Sequence, residues 1–239
     1  MLQKNNKKIS LIYIGLIQYI LFIKMLDSIC DTMKEAYKRG WISTRDGNAS
    51  YRRKGEDYLY VTPSGVKKQH LNSEMIIKLD VKRNEDNTIE YKRVLDEESQ
   101  KNNAGLKPTG ELMMHLLLQN NNLSNRVIIH LHPTYIISAM YAGLNLQELA
   151  DDFPEINRYT RVGPMVPIIP PITRELAIAV FKNFNLQPNG EIDFDIIGLD
   201  RHGIVAIGKD AWGVFEHVER LEHICKIALA SGKHLKKLN

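Results

Sequence analysis

The stretch Val127-Ile128-Ile129-His130-Leu131-His132-Pro133 begins with three branched apolar residues and ends at a proline. Such a run predicts a buried strand, and proline ends it because proline cannot donate a hydrogen bond to a sheet. Strand side chains alternate between the two faces, so His130 and His132 lie on the same face. Two imidazoles on one face, at the end of a rigid strand, form half of a site for a divalent metal ion.

A catalytic zinc site needs three protein ligands and one open position. His202 is the best candidate for the third ligand, because it lies in a turn between two apolar segments, where loops present functional groups. Glu111 begins a predicted helix, where a carboxylate either complements the helix dipole or, beside a metal ion, acts as a general acid/base. His115 is one helical turn further on, and it either supports the site or is simply packed within the helix.

Three loops each pair a small hydrogen-bonding residue with glycine: Gly47-Asn48, Ser64-Gly65 and Thr109-Gly110. These pairs leave backbone N–H groups and side-chain polar groups free to surround a phosphate. Each pair alone is typical of an ordinary turn. Three of them in one chain that also carries a metal motif predict a phosphorylated substrate.

Composition and charge limit the classes of protein that this chain can represent. Of its 239 residues, 44% are hydrophobic and 25% charged, which is enough apolar material for a folded core and argues against disorder. Four of the 32 basic residues lie in the first 24 positions, which contain no acid; removing them leaves 28 basic against 28 acidic residues. The rest of the chain therefore carries no excess of positive charge, and we predict that it has no surface for binding nucleic acid. The two distant cysteines indicate no disulfide framework, and we expect a cytoplasmic protein.

Residues 1–24 differ from the rest of the chain. A short basic start precedes an apolar stretch, residues 9–23, which is shorter than the ~20 residues of a membrane span and lacks a signal-peptidase site. An amphipathic helix begins at Met25 and ends near Gly40. We therefore expect an apolar N-terminal extension (1–24) and one domain (25–239). The extension is an accessory helix, a weak membrane anchor or translated upstream sequence, so any membrane contact is expected only there.

Short apolar segments predict strands around the centre of the chain, and helical patterns lie before, between and after them. Thr173 is expected to cap a helix from Arg174 to Asn183, and residues 211–231 form a long closing helix. This order predicts an α/β (α+β) fold in which a sheet is flanked by helices. Residues 145–173 carry no readable pattern.

Together these segments resemble the class II aldolase/adducin family. Five segments match in family order: Gly47-Asn48-Ala49-Ser50, Thr62-Pro63-Ser64-Gly65, Pro108-Thr109-Gly110-Glu111, His130-Leu131-His132-Pro133 and Arg201-His202-Gly203. The resemblance spans most of residues 26–230 and is closest to the L-rhamnulose-1-phosphate and L-fuculose-1-phosphate aldolases. Two segments resemble the rhamnulose type more than the fuculose type: Lys38-Arg39-Gly40-Trp41 and Arg126-Val127-Ile128-Ile129-His130.

The resemblance implies a central, mainly antiparallel sheet between helical layers, and a homotetramer with active sites at subunit interfaces. It implies one Zn²⁺ per chain held by His130, His132 and His202, with Glu111 as the acid/base. The phosphate pocket would consist of Asn48, Ser64, Gly65, Thr109 and Gly110. The implied reaction is retro-aldol cleavage of a ketose 1-phosphate to dihydroxyacetone phosphate and an aldehyde, with the metal acting as a Lewis acid.

The chain departs from the family pattern at two places. Gly110 stands where the fuculose and rhamnulose enzymes usually have serine, which removes one hydroxyl from the phosphate pocket. Rhamnulose aldolases also use a second glutamate beyond the histidine strand; Glu155 is the candidate here, and Tyr135 and Tyr159 are the candidates for an interface tyrosine. Relatives on the same scaffold epimerise, decarboxylate or dehydrate sugar phosphates, and adducin-like binding proteins keep the fold but lose the metal ligands.

Overall fold

The histidine strand lies at the centre of a seven-stranded sheet. The structure, a computed structural model, describes residues 2–84, 88–95, 101, 103–119, 126–187 and 189–232, with side chains from residue 13 onward. The strands are β1 (Asn48–Arg52), β2 (Tyr58–Val61), β3 (Ile77–Arg83), β4 (Ile89–Arg93), β5 (Arg126–Leu131), β6 (Ile196–Leu199) and β7 (Gly203–Gly208). Their order is β4-β3-β2-β1-β5-β7-β6, and neighbouring strands run antiparallel, which confirms the expected mainly antiparallel sheet.

Helices cover both faces of this sheet. They are α1 (Leu2–Lys38), α2 (Leu112–Leu118), α3 (Thr134–Tyr141), α4 (Leu146–Asp151), α5 (Pro154–Asn157), α6 (Arg174–Asn183) and α7 (Ala211–Ser231). Val127, Ile129 and Leu131 of β5 share one core with α1, α3 and α7. Ile128 faces the opposite core, which it shares with α2 and α6. The expected sheet between helical layers is therefore present, and His130 lies on the same face as Ile128.

The helix ends follow from local sequence. The Thr173 hydroxyl accepts the Leu176 N–H and caps α6 as expected, and Asp210 caps α7 in the same way by accepting the Gly213 N–H. The helix that we expect to begin at Glu111 starts one residue later, at Leu112, and it follows a segment in which Pro108 forms a bridge to Pro63. This difference places Glu111 immediately before the helix rather than in its first turn.

The first helix runs without interruption across Met25. Residues 13–21 are exposed all around the helix, whereas Leu26, Ile29 and Met33 are buried in the core that contains α7. By length and composition, Tyr13–Lys38 is apolar enough to cross a membrane. Its portion from Leu26 onward is part of the protein core, so the exposed apolar segment is limited to the residues that precede Leu26. The division of the chain at Met25 stays a prediction.

Candidate metal centre and substrate cleft

Three histidines converge at one end of the central strands. His130 and His132 lie at the end of β5, and His202 lies in the turn that leads into β7, the strand paired with β5. The nearest ring nitrogens of the three side chains all lie within 4.8 Å of one another. His130 Nε2 and His132 Nε2 are 2.9 Å apart. Nitrogens this close together can all reach one ion at the zinc–nitrogen distance of about 2.0–2.1 Å after small rotations of the side chains.

The hydrogen bonds and burial of these rings fit a divalent cation. His130 Nδ1–H donates to the Ile204 carbonyl at 2.8 Å, which directs the Nε2 lone pair toward the other two histidines. Burial, then His130 and His202, lowers the pKa of His132 to about 3, and burial also lowers the pKa of His202. Neutral imidazole is the metal-binding form. Among the described residues Glu111 Oε1 has no hydrogen-bond partner although it is buried, as expected of a polar group that awaits a ligand.

Gly203 allows the turn that carries His202 to approach β5 closely. A Cβ at this position would lie 2.3 Å from the Leu131 carbonyl oxygen and 2.8 Å from Cδ2 of His132. Only glycine fits without displacement of the backbone. Gly203 therefore determines how closely His202 approaches the other two histidines.

Glu111 faces the histidines instead of capping its helix. One carboxylate oxygen, Oε2, is 3.0 Å from Asn48 Nδ2 and 3.1 Å from His130 Nε2, and Oε1 is 3.8 Å from His202 Nε2. Its side chain makes no capping hydrogen bond to α2. Burial opposes ionisation, but His130 and the hydrogen bond from the Asn48 amide hold the Glu111 pKa below its usual range. Glu111 is thus an ionised carboxylate beside the candidate metal site.

A chain of hydrogen bonds with one consistent direction supports Glu111. Gln119 Nε2 donates to Ser50 Oγ at 3.1 Å, and the Ser50 hydroxyl lies 2.7 Å from His115 Nδ1. His115 Nε2 lies 2.5 Å from Asn48 Oδ1, which can only accept, so Nε2 carries the proton and Nδ1 accepts from Ser50. Asn48 then donates to Glu111. His115 is therefore both a packed helix residue and a support for the site.

The buried neutral state of His115 predicts acid sensitivity. Burial lowers its pKa to about 3 from an ordinary value of 6.5, so between these pH values the unfolded chain takes up a proton that the folded protein excludes. The free energy of unfolding should therefore fall as pH decreases from 6.5, with a contribution from this residue of up to about 1.4 kcal/mol per pH unit. In metal-free protein, His115→Gln should reduce this slope. Urea unfolding from pH 6.5 to pH 4.5 measures it.

The exposed His223 gives a matched control for this experiment. His223→Gln should keep the pH slope of the parent protein. If His115→Gln and His223→Gln show the same slope, His115 is not held neutral by the fold.

The cleft beside the histidines has a volume of about 440 Å³ and contains all the residues expected in the phosphate pocket. Those residues are Asn48, Ser64, Gly65, Thr109 and Gly110. The backbone N–H of Ser64 donates to the Lys107 carbonyl, and that of Thr109 donates to the Thr62 carbonyl. These two residues therefore offer a ligand only their hydroxyl groups. The three loops therefore contribute to one shared wall, although they are separated in the sequence.

Two groups of expected residues lie away from this cleft. Glu155 is exposed on α5 and is absent from the cleft lining. Tyr135 and Tyr159 are 37% and 48% exposed and stack with the cationic side chains of Lys226 and Arg220 respectively. Among the described residues, those that line the cleft include none of the three.

Ile172 forms an apolar part of the cleft wall that the sequence pattern did not reveal. Its φ of 65° places a β-branched residue in the left-handed region, and its side chain is 68% exposed at the cleft. A Cβ on Gly110 would lie 3.2 Å from Ile172 Cδ1, a tight contact. The absence of a side chain at residue 110 therefore makes room for Ile172.

Further residues that shape the site were also missed. Arg45 and Lys68 line the cleft, and no spacing rule distinguished them from surface cations. Glu222 on α7 accepts the N–H groups of Tyr135 and Ile136 at 3.0 and 2.8 Å, and so holds the start of the helix that follows His132. A single acid on a long amphipathic helix gave no signal of this contact.

Comparisons with known proteins identify the family of this chain. The sequence model of the family "Class II Aldolase and Adducin N-terminal domain" matches residues 27–229. An L-fuculose phosphate aldolase of Methanococcus maripaludis is 29% identical over 191 residues, which cover 80% of this chain and 88% of that protein. A 3-oxo-tetronate 4-phosphate decarboxylase of Haemophilus influenzae is 27% identical over 202 residues, 80% of each chain.

The fold also matches solved structures. A sugar-phosphate aldolase from Thermotoga maritima superposes with a TM-score of 0.66 at 20% identity, covering 87% of this chain and 94% of that one. At this identity the likeness supports the fold alone.

Proposed function

Because the chain belongs to the class II aldolase and adducin N-terminal domain family, whose members include lyases, we propose that it is a zinc-dependent aldolase. Its substrate would be a ketose 1-phosphate of the L-rhamnulose or L-fuculose type, cleaved to dihydroxyacetone phosphate and an aldehyde. The observation that carries the proposal is the Glu111 carboxylate, 3.1 Å from His130 Nε2 at the edge of a three-histidine group. A carboxylate at this position can move protons at a substrate bound beside the three histidines, as an aldolase requires.

In the proposed site His130, His132 and His202 hold the zinc ion. When bound, the ion supplies Lewis-acid polarisation of substrate oxygen atoms. A set of three histidines is typical of a catalytic zinc site rather than a structural one. The Ile204 carbonyl orients His130, and the close approach at Gly203 positions His202.

Glu111 would move the proton. Retro-aldol cleavage removes a hydroxyl proton on the aldehyde side, breaks the carbon–carbon bond and returns a proton to the carbon of the ketone fragment. A carboxylate held ionised by His130 and Asn48 accepts the first proton, and the same group can return it after bond cleavage. Asn48 fixes one carboxylate oxygen through Nδ2, while His115 prevents the amide from rotating.

The cleft opposite the histidines would hold the phosphate. Hydroxyls of Ser64 and Thr109 and the N–H groups of Gly65 and Gly110 surround this end of the cleft. Among the described residues, neither of these two N–H groups donates to a protein acceptor. Asn48 keeps one amide hydrogen for the substrate, since its other contacts are to Glu111 and His115.

The two segments that resemble the rhamnulose type, 38–41 and 126–130, contain arginines with structural roles. Arg126 donates to the Leu118 carbonyl at the end of α2, and Arg39 pairs with Glu35 and Glu219. Neither arginine lines the cleft. The choice between rhamnulose and fuculose therefore depends on the cleft residues, Ile172 among them.

We expect the purified protein to bind about one zinc ion per chain and, in that form, to release dihydroxyacetone phosphate from a ketose 1-phosphate. Removing the metal with a chelator should abolish cleavage, and adding zinc should restore it, because the carboxylate alone cannot polarise the substrate. Metal content by elemental analysis and a coupled assay for dihydroxyacetone phosphate, run on a panel of ketose 1-phosphates, measure both.

Failure to bind zinc would contradict the enzyme proposal. A metal-loaded protein that cleaves no member of the panel would favour the second candidate, decarboxylation of a sugar-acid phosphate, which the Haemophilus relative's name supports. Release of carbon dioxide from a 3-oxo acid phosphate would then identify that reaction. Epimerisation would leave the carbon skeleton intact and release neither product.

We also propose, from the family resemblance, that the enzyme works as a cytoplasmic homotetramer. A partner subunit would then cover some of the exposed side chains around the cleft. Glu155, Tyr135 and Tyr159 are exposed and available for such an interface. The proposed domain is residues 25–239, with the exposed apolar part of α1 as an extension outside it.

A further inference from the structure

Lys68 connects two loops that form one side of the cleft. Its backbone N–H donates to the Thr44 carbonyl at 2.8 Å, and its Nζ donates to the Arg45 carbonyl at 3.1 Å. A weaker contact joins Nζ to the Val66 carbonyl at 3.4 Å. The loop that leads to Asn48 and the loop that follows Gly65 are therefore held together around this one side chain.

The Lys68 ammonium is buried without a counter-ion. The residue is 1% exposed, and among the described residues no carboxylate oxygen lies within 4.0 Å of its Nζ. Asp46, which is exposed, acts on it from a greater distance: burial lowers the Lys68 pKa to about 8, and Asp46 opposes that change. A buried charge is costly unless it is paired. Two of the three ammonium hydrogens contact carbonyls, which leaves one for a ligand.

We propose that Lys68 is a specificity residue, whose buried ammonium supplies the fixed positive charge that binds the substrate's phosphate group. Lys68 lines the same cleft as Ser64, Gly65, Thr109 and Gly110. These neighbours offer hydroxyl and N–H groups but no charge. The ligand phosphate supplies the missing counter-ion, and the charge offsets the hydroxyl that Gly110 lacks. The cleft thereby selects phosphate monoesters over the unphosphorylated sugars. The identity of the sugar rests on the proposed function; the role of Lys68 does not.

The test compares glycerol phosphate with glycerol as ligands of the metal-loaded protein, by calorimetry in buffer free of phosphate and sulfate. Lys68→Gln keeps a hydrogen-bond donor but removes the charge. It should weaken glycerol phosphate binding about tenfold or more and leave the interaction with glycerol unchanged. Lys67→Gln is the matched control, because Lys67 is the exposed neighbour and carries the same charge. Equal affinity of the two variants for glycerol phosphate overturns the proposal.

A measurement on the unaltered protein covers the case in which Lys68→Gln does not fold. With ¹³C-labelled lysine, NMR follows the titration of each ammonium group, and saturating glycerol phosphate should raise the Lys68 pKa above about 8. A Lys68 titration that does not respond to glycerol phosphate also overturns the proposal.

These results separate the role of Lys68 from the aldolase activity. If Lys68→Gln binds glycerol phosphate more weakly but the parent protein cleaves no ketose phosphate, the phosphate-binding role of Lys68 is supported and the proposed aldolase activity is rejected. Cleavage with an unchanged KM in Lys68→Gln would support the aldolase and reject the role of Lys68. A raised KM with kcat retained supports both.

Discussion

Glu111→Gln is expected to lower the rate of ketose 1-phosphate cleavage by roughly 10²–10⁴-fold while the protein still binds one zinc ion. Glutamine keeps the size of the side chain and can still accept the Asn48 amide hydrogen, so the fold and the three histidines are preserved. It cannot take up a proton at neutral pH. The loss should appear mainly in kcat, because proton transfer belongs to the transition state and not to substrate binding.

Glu148→Gln provides the control, since Glu148 is exposed on α4 and does not line the cleft. It should retain the activity of the parent protein. Metal content and unfolding temperature should be equal in both variants. Unchanged turnover in Glu111→Gln would reassign the acid/base role to another group, and a loss of zinc would show that Glu111 supports the metal instead.

Gly203→Ala is expected to remove both activity and tight metal binding. The added methyl group would lie 2.3 Å from the Leu131 carbonyl oxygen, so β7 and the turn that carries His202 must move away from β5. Forcing an extra methyl into a packed position costs about 1–3 kcal/mol. For a chain of this size each kcal/mol lowers the Tm by about 2–4 °C. Thermal unfolding and zinc titration measure the two effects.

Gly105→Ala is the matched control, because a Cβ at Gly105 meets no atom of the described residues within 4 Å. It should leave Tm, zinc affinity and turnover unchanged. Gly203→Ala with normal zinc affinity would mean that the position of His202 does not depend on this close approach.

The sequence predicted the parts of the site that depend on regular structure. Strand alternation placed His130 and His132 on one face, and the turn between two apolar segments presented His202, so the cluster follows from local rules. The cap at Thr173 followed from the same kind of rule. The exact start of α2 could not be predicted by a local rule, because the bridge between Pro63 and Pro108 is a tertiary contact.

Other features depended on packing that no local pattern encodes. Lys67 and Lys68 are adjacent and chemically identical, yet the short helix Lys68–His70 turns one of them inward and leaves the other exposed. The left-handed conformation of Ile172 contradicts the preference of a β-branched residue. Glu155 lies within residues 145–173, where the sequence has no periodicity that predicts which side chains face the cleft, and the structure places it at the surface.

The position of β5 in the middle of the sheet has a consequence for how the protein opens. The candidate ligands are attached to β5 and to the start of β7, whereas β3 and β4 form one edge and pack with a separate apolar cluster. A bound ion would therefore stabilise the central strands against local unfolding. It would leave the stability of the edge hairpin, β3 and β4, nearly unaffected. Amide hydrogen exchange would slow on β1, β5 and β7 and continue at its former rate on β4. A metal ion bound there would thus also stabilise the central strands of the sheet against local unfolding.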